Sequence, residues 1–591
     1  MCGIVAVFGA EKAEKKVLNG LKNLEYRGYD SWGIAGKKGD QLFIQKEIGK
    51  ISAATLSADF PETKIAIGHT RWATHGGVTP ENAHPHFSED RKIAVVMNGI
   101  IENFAELRSE LRARGHLFSS DTDTEVLPHL IEEFLTAGDD LKMAVKKAAE
   151  KGVGRFSFAV LFADFEKIIA VRAGSPIILG VGEKNSFFLA SDTPAFSDFT
   201  EKIKYIDDGE MVEISKNGAE FFEMKNLKKI EKREIQLENF SGKSEKGDHE
   251  HFMIKEIFEQ KETIARAIDQ NENEILKIAD AIKKARGTYL IGCGTAHKVA
   301  AAGEYFFAEI AGKHINTAVA SEFPIFHKFL RPESLVIAIS QSGETADVIE
   351  AIEAAKKADA KVLSIVNAEN STIARASDFS LKINAGVEKA VASTKAATSQ
   401  LAVLMLLAFA SIGKIADGKK LLRDAAAQIN DLLNPRFVAF VEKIAKKIAK
   451  NENIFIIGKG ANFPMAREAA IKIQEVSYIH AEGFAGGELK HGPIAMIEKG
   501  TPTIVLGSEN PQIHREILSN AIEIKARGGK IIGIAAENSD IFDDWIRVPS
   551  AGAATPILNL IPIQVLAYFL AIFRGKNPDM PRNLAKSVTV K

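Results

Sequence analysis

The sequence predicts an α+β domain followed by two α/β domains with parallel sheets, and three observations predict it. Residues 2–225 mix short β-rich runs, such as 92–97 (KIAVVM), with helical ones, such as 103–114. A charged stretch containing Gly and Ser, 226–248, then divides the chain. Beyond it the pattern becomes strand, glycine turn, helix, as in a parallel α/β sheet.

That second pattern occurs twice. Residues 289–294 (YLIGCG) resemble 455–460 (FIIGKG) at an offset of 166, read from Gly292 to Gly458. Residues 336–340 match 503–507 at nearly the same offset, and 361–366 match 530–535 at 169. Three strands in the same order at one spacing predict a duplicated domain. The predicted divisions are 2–225, a linker over 226–248, 249–430, 431–580 and a tail over 581–591. Two apolar runs, 401–410 and 557–573, read as buried helices. The first is too short to span a membrane, and Asn559, Pro562 and Gln564 interrupt the second.

Composition agrees with a multidomain soluble protein: 591 residues exceed what one core serves, and 46% hydrophobic, 26% charged and net charge −1 are ordinary globular values. There is no basic surplus for nucleic acid. The short apolar run 4–10 lacks a basic flank, so no secretory signal is expected. Cys2 and Cys293 are the two cysteines, too few for a disulfide framework, and a reducing cytoplasm is expected.

The chemistry begins at Cys2. Removal of Met1 would place a free α-amine, titrating at roughly 7.7–8.0, beside a thiol near roughly 8.5, a pair able to form a nucleophile without a histidine. In the repeated half, neither Gly292-Cys293-Gly294 nor Gly458-Lys459-Gly460 completes a dinucleotide fingerprint, and no nucleotide P-loop occurs. Residues 340–345 (SQSGET) instead stand where a strand ends and a helix begins, offering hydroxyls and backbone N–H groups to a phosphate, or an ordinary helix cap. A second hydroxyl cluster, 392–395 (ASTK), also precedes a helix. Glu468, Lys472 and Glu475 share one helical face, as a surface ion-pair ladder or as site residues beside the polar, glycine-rich run 476–493. The last eleven residues have no helical period and read by default as a frayed tail.

Taken in order, these motifs resemble the glutamine–fructose-6-phosphate aminotransferase (isomerising) family over nearly the whole chain. They are Cys2-Gly3-Ile4, 24–31 (LEYRGYDS), 69–76 (HTRWATHG), Asn98-Gly99, 122–125 (TDTE), 340–345, 391–395 (VASTK), 487–493 (GELKHGP) and 582–590 (RNLAKSVTV). The resemblance implies a four-layer αββα N-terminal-nucleophile glutaminase domain, followed by two three-layer sugar-isomerase (SIS) domains. Cys2 would attack glutamine's amide, with Asn98 and the Gly99 N–H as oxyanion donors. Arg71, Thr74, His75, Gly99 and Asp123 would bind glutamine, with Arg71 on its carboxylate and Asp123 on its ammonium. Cys293, Gly294, Thr295, Ser340, Gln341, Ser342, Thr345, Val391, Ala392 and Ser393 would hold the sugar phosphate.

Further implications concern the transfer itself. Lys586 would form a Schiff base with the ketose, Glu475 would move the proton between C1 and C2, Lys472 would place or protonate the amine, and His491 would assist ring opening. Ammonia would pass through an internal channel gated by Trp72 and the tail. His491 would come from a neighbouring subunit, so at least a homodimer is implied, with no cofactor, metal, nucleic acid or membrane. Three positions depart from the pattern: Met97 where histidine is expected, Ala296 for serine, and Trp32 for a small residue. Related amidotransferases are disfavoured, since no ATP-pyrophosphatase loop occurs and a phosphoribosyl enzyme would lack the repeat. The alternative of another class is a sugar-phosphate-binding regulator with a glutaminase-like domain.

Overall fold

A computed structural model describes residues 2–237 and 245–589; the expected removal of Met1, the middle of the linker and the last two tail residues lie outside them. The chain forms two compact units, 1–243 with 587–591, and 244–586.

The first unit is built on two antiparallel sheets of eight and seven strands. Gly3–Phe8 lies in the middle of the first sheet, paired with Ile65–Arg71 and Phe187–Ala190. Ile93–Ile101 lies in the second, paired with Gly154–Phe162 and the short His86–Phe87 strand. Side-chain alternation along these strands decides what each face buries. Ile4, Ala6, Ile65, Ile67, Ala94 and Val96 meet between the sheets. The odd-numbered Val5 and Val7 instead pack with Val17 and Leu21 of the Ala13–Asn23 helix. On the other side, Val95 and Met97 pack against the helices Val126–Thr136 and Leu141–Lys151. The result is the αββα layering predicted above.

The linker starts later than its charge pattern suggests. Lys229–Ile230 pairs with Gly218–Glu223, and Ile235–Gln236 pairs with Lys202–Tyr205, so residues through 236 belong to the first unit's sheets. These strands are two residues long and lie at sheet edges, where charged side chains are normal.

The second unit contains two five-stranded parallel sheets of identical topology. The repeat read from sequence coincides with them: Thr288–Gly292, Leu335–Ser340 and Lys361–Val366 correspond to Asn453–Gly458, Pro502–Leu506 and Lys530–Ala535. In each sheet the first strand of the repeat pairs on one side with the next strand in the chain and on the other with the one after. That arrangement is a topological switch point, where parallel sheets place ligands beyond the strand C-termini. The halves share one core that includes Lys395–Ser411 and Thr555–Phe573. The latter is the one described helix long and apolar enough to cross a membrane, and it is packed inside this unit. From the end of the unit, buried Asp579 accepts hydrogen bonds from Phe252 N (2.9 Å) and Met253 N (2.8 Å), capping the helix Phe252–Phe258.

Candidate active sites

In the first unit the inner faces of adjacent strands converge at one end. Cys2 has the parity of Ile4, His69 and Arg71 that of Ile67, and Asn98 that of Val96, so all four face the layer between the sheets. Trp72 N donates to Cys2 Sγ at 3.4 Å, and Arg27 Nε donates to Cys2 O at 3.1 Å. Burial pushes the Cys2 thiol up, against the Trp72 amide and the Arg71 charge, so a base is needed to form the thiolate.

Asn98 is held from both ends. His69 Nε2 lies 3.2 Å from its Oδ1, and its Nδ2 donates to Ser191 Oγ at 2.7 Å. Burial keeps His69 neutral, with its pKa at about 3, so Nε2–H is the donor and the amide is oriented with one N–H to spare. Ser191 Oγ also accepts from Ile4 N at 2.7 Å, joining the strand that follows Cys2 to the Asn98 side chain. Gly99 has φ +106, and a Cβ there would run into Arg155 O and Phe156 Cα of the neighbouring strand. Only glycine keeps that backbone N–H where it stands.

Arg71 donates to the carbonyls of His75, Gly76 (3.1 Å) and Gly77 (2.9 Å), which fixes the loop after its strand. Asp123 accepts from Ile101 N at 2.8 Å, and burial raises its pKa. His75 packs edge-on against Phe104, and Thr74 is exposed. Met97, the departure beside Asn98, is buried among the helix-facing apolar residues, on the opposite sheet face from Asn98. Trp32 is likewise core, under the Ala13–Asn23 helix.

In the second unit, the two loops at the first switch point carry seven of the predicted sugar-phosphate residues, and Val391, Ala392 and Ser393 lie before the helix Lys395–Ser411. Leu335–Ser340 leads into the 340–345 loop, and Thr345 precedes the helix Ala346–Lys357. Ser340 Oγ lies 3.0 Å from Thr345 Oγ1 and accepts from Gly343 N at 3.0 Å. Gly343 has φ +67, and a Cβ there would strike the Ser371 side chain. No side chain caps the helix, so its first N–H groups remain for an anion. Across the switch point, Cys293 precedes the helix Gly294–Ala311, and its thiol is raised to about 11 by burial and Asp347. Ala296 follows on that helix and packs on the shared core.

Glu468, Lys472 and Glu475 lie on the helix Asn462–Ser477, but not as a surface ladder. Lys472 is fully buried, 2.8 Å from Glu475 and 3.5 Å from Glu468. Burial alone would lower its ammonium; the two carboxylates instead raise it well above the ordinary value. Glu468, raised to about 7 mainly by burial, accepts from Thr295 Oγ1 at 3.1 Å, which links this helix to the first repeat.

Lys586 is not frayed: its ammonium lies 2.5 Å from Glu388 Oε2, and both are buried. Glu388 also accepts from Thr394 N (2.9 Å), Ala396 N (3.0 Å) and Ser393 Oγ (3.2 Å), which ties the second hydroxyl cluster to the lysine. Burial opposes the Glu388 charge, but Lys586 and those donors keep its pKa low. Glu256 behaves oppositely. Burial and the neighbouring Glu388 charge raise it to about 8, so one of the two carboxyls is protonated near neutrality. Val391 N bonds Asp579 O at 3.0 Å. His491, exposed at the end of the Gly486–His491 turn, has no side-chain hydrogen bond or ion pair among the described residues.

Sequence reasoning missed Ser191, Glu256, Glu388 and Asp579. The first stands just after a buried apolar strand, a signal that marks strand ends generally. Glu256 and Asp579 are acidic residues whose side chains bond distant backbone, and Glu388, though it caps the nearby 393–396 turn, meets Lys586 only through the fold, so the sequence offers no sign of their roles.

The SIS domain family matches residues 281–410 and 447–570, and the glutamine amidotransferase domain family matches 69–198. The chain is 41% identical over 605 residues to the glutamine–fructose-6-phosphate aminotransferase (isomerizing) of Thermococcus kodakarensis. It is 43% identical over 618 residues to that of Pyrococcus horikoshii, and both alignments cover 100% of each chain. The solved C-terminal domain of glucosamine-fructose-6-phosphate aminotransferase from Francisella tularensis is similar at TM-score 0.53 and 30% identity, covering 57% of this chain and 100% of that one.

Proposed function

The chain belongs to the glutamine–fructose-6-phosphate aminotransferase (isomerising) family, and from that premise we propose how its residues divide the reaction. The enzyme converts fructose 6-phosphate and glutamine to glucosamine 6-phosphate and glutamate. The observation that carries the residue assignment is the presence, in one chain, of a half-buried thiol and an oriented amide on the same inner layer, and of a buried lysine beside a charged carboxylate.

At the first site the Cys2 sulfur attacks the glutamine side-chain amide while its own α-amine takes the proton. The oxyanion forms against the spare Asn98 N–H and the Gly99 N–H, and collapse expels ammonia and leaves a thioester that water hydrolyses. Arg71 pairs with the α-carboxylate and Asp123 with the α-ammonium, with Thr74 and His75 completing the pocket. Trp72, whose amide holds the Cys2 sulfur, gates the release of ammonia.

At the second site the 340–345 loop, Cys293, Gly294, Thr295 and residues 391–393 bind the phosphate and sugar. Lys586 condenses with the C2 carbonyl and loses water; ammonia then displaces the lysine. Glu475 removes the C1 proton and returns it to C2, with Lys472 as the adjacent charged donor. His491 assists ring opening from a second subunit, so the working form is a homodimer or larger, in the cytoplasm. The first catalytic domain runs to residue 236, followed by SIS domains over 249–430 and 431–580 and the tail over 581–591.

The test follows both products. Incubated with glutamine and fructose 6-phosphate, the protein should yield glutamate and glucosamine 6-phosphate in equal amounts. Fructose 6-phosphate binding without amino-sugar formation would overturn the assignment in favour of a sensor.

A further inference from the structure

The first unit contains a second cluster of ligating side chains, none of which serves the glutamine reaction. Three segments supply it: Glu89 from the turn before Ile93–Ile101, His116 from the turn after Phe104–Ala113, and His129 and Glu132 from Val126–Thr136. His116 Nδ1 and His129 Nδ1 point at one another, 3.0 Å apart. Glu89 Oε2 is 3.7 Å from His116 Nδ1, and Glu132 Oε2 is 3.8 and 3.9 Å from the two nitrogens. A cation with bonds of roughly 2.0–2.1 Å to tetrahedral ligands holds them about 3.3 Å apart. The observed separations, 3.0 to 3.9 Å, bracket that edge length.

The outer nitrogens supply an independent argument. His116 Nε2 lies 3.4 Å from Glu133 Oε1, and His129 Nε2 lies 4.0 Å from Glu125 Oε1. The Glu133 carboxylate favours the proton on His116 Nε2, which turns that ring's Nδ1 lone pair inward, the arrangement that carboxylates impose on metal-binding histidines. His129 is 1% exposed, and its Nε2 makes no hydrogen bond. Glu132 is itself positioned, accepting from Glu89 N and Asp90 N at 3.1 Å each. Arg114 pairs with Glu133, and Glu89, Asp90, Glu125 and Glu132 remain as negative charges around the two rings. A solvent-open cleft of about 730 Å³ along Glu89, His116 and Glu132 provides the entry path.

We propose that His116, His129, Glu132 and Glu89 form a site for one divalent transition-metal ion, zinc above all, which pins the helix Val126–Thr136 to the two turns. Imidazole and carboxylate without thiolate suit zinc and its neighbours rather than calcium or magnesium. The role is structural, because the site holds none of the residues assigned to glutamine. Asp123, three residues before that helix, is the substrate contact it steadies.

The full-length chain, stripped with chelator, is titrated with zinc against a chromophoric competitor and separately with cobalt. The expected result is about one tight equivalent per chain, with protons released on binding. The cobalt spectrum should show d–d bands without a thiolate charge-transfer band, which excludes Cys2 as the ligand. His116→Asn, at a partly exposed position, should weaken binding at least a hundredfold while the metal-free melting curve is unchanged. Glu133→Gln should weaken it about tenfold. Binding that survives His116→Asn, or a cobalt adduct with thiolate character, would overturn the site and leave only a histidine–histidine hydrogen bond.

Discussion

Replacing Gly99 with alanine tests the oxyanion assignment most directly. The residue sits at φ +106, where an L side chain costs on the order of 1–3 kcal/mol. The added Cβ also meets backbone, Arg155 O and Phe156 Cα, which cannot rotate away as a flexible side chain could. Separating the two strands to admit it adds about 1–3 kcal/mol of overpacking strain. The same shift displaces the Gly99 N–H and the Asn98 amide from where the oxyanion forms. Loss of one such donor lowers kcat by roughly 10²–10³. The assay is glutamate release from glutamine, with calorimetric melting of the first unit and fructose 6-phosphate binding measured alongside. Glutaminase should collapse, the first unit's melting temperature should drop by roughly 5–15 °C, and sugar binding should be unchanged. Wild-type glutaminase at an unchanged melting temperature would refute both the steric argument and the role of this N–H.

Three further outcomes are expected. Ser191→Ala leaves Ile4 N and Asn98 Nδ2 buried without their acceptor, at about 1–3 kcal/mol each, so melting temperature and glutaminase kcat should fall together; loss of neither would remove Ser191 as the positioning residue. Glu388→Gln removes the buried partner of Lys586 and should cost about 3–5 kcal/mol and at least a hundredfold in amino-sugar formation, with glutamate release from glutamine alone kept within about twofold. Glu256 carries a folded pKa of about 8 against an ordinary 4.5, so the folded state holds its proton longer and stability should decline as pH rises from about 4.5 to 8. Glu256→Gln should flatten that decline, worth at most about 5 kcal/mol; an unchanged pH profile by denaturant titration would refute the shift.

The parts legible in the sequence are those written in short spacings. The three repeated strands announce themselves because each is a buried apolar run, the first two reaching a glycine or serine just before a helix, and the structure pairs them in matching order. The 340–345 and 392–395 loops were legible for the same reason. By contrast, Ser191 acts on residues 187 and 93 positions away, and Glu388 on one 198 away, distances over which no periodicity speaks. The ladder Glu468, Lys472, Glu475 could be placed on one helical face, but its burial depends on the Gly294–Ala311 helix packed across it. The strands Lys229–Ile230 and Ile235–Gln236 were hidden because two-residue edge strands need neither apolar side chains nor alternation.

The cap that Asp579 places on the helix Phe252–Phe258 fixes the chain seven residues before Lys586. A lysine on a free terminus would explore the solvent around the whole molecule. Anchored at Asp579, its backbone can travel at most about 25 Å from that post. A leash of that length holds the amine at an effective concentration in the millimolar range or above over any ketose bound within reach. On the Schiff-base role proposed above for Lys586, the same amine is the one that the next ketose meets once product has left.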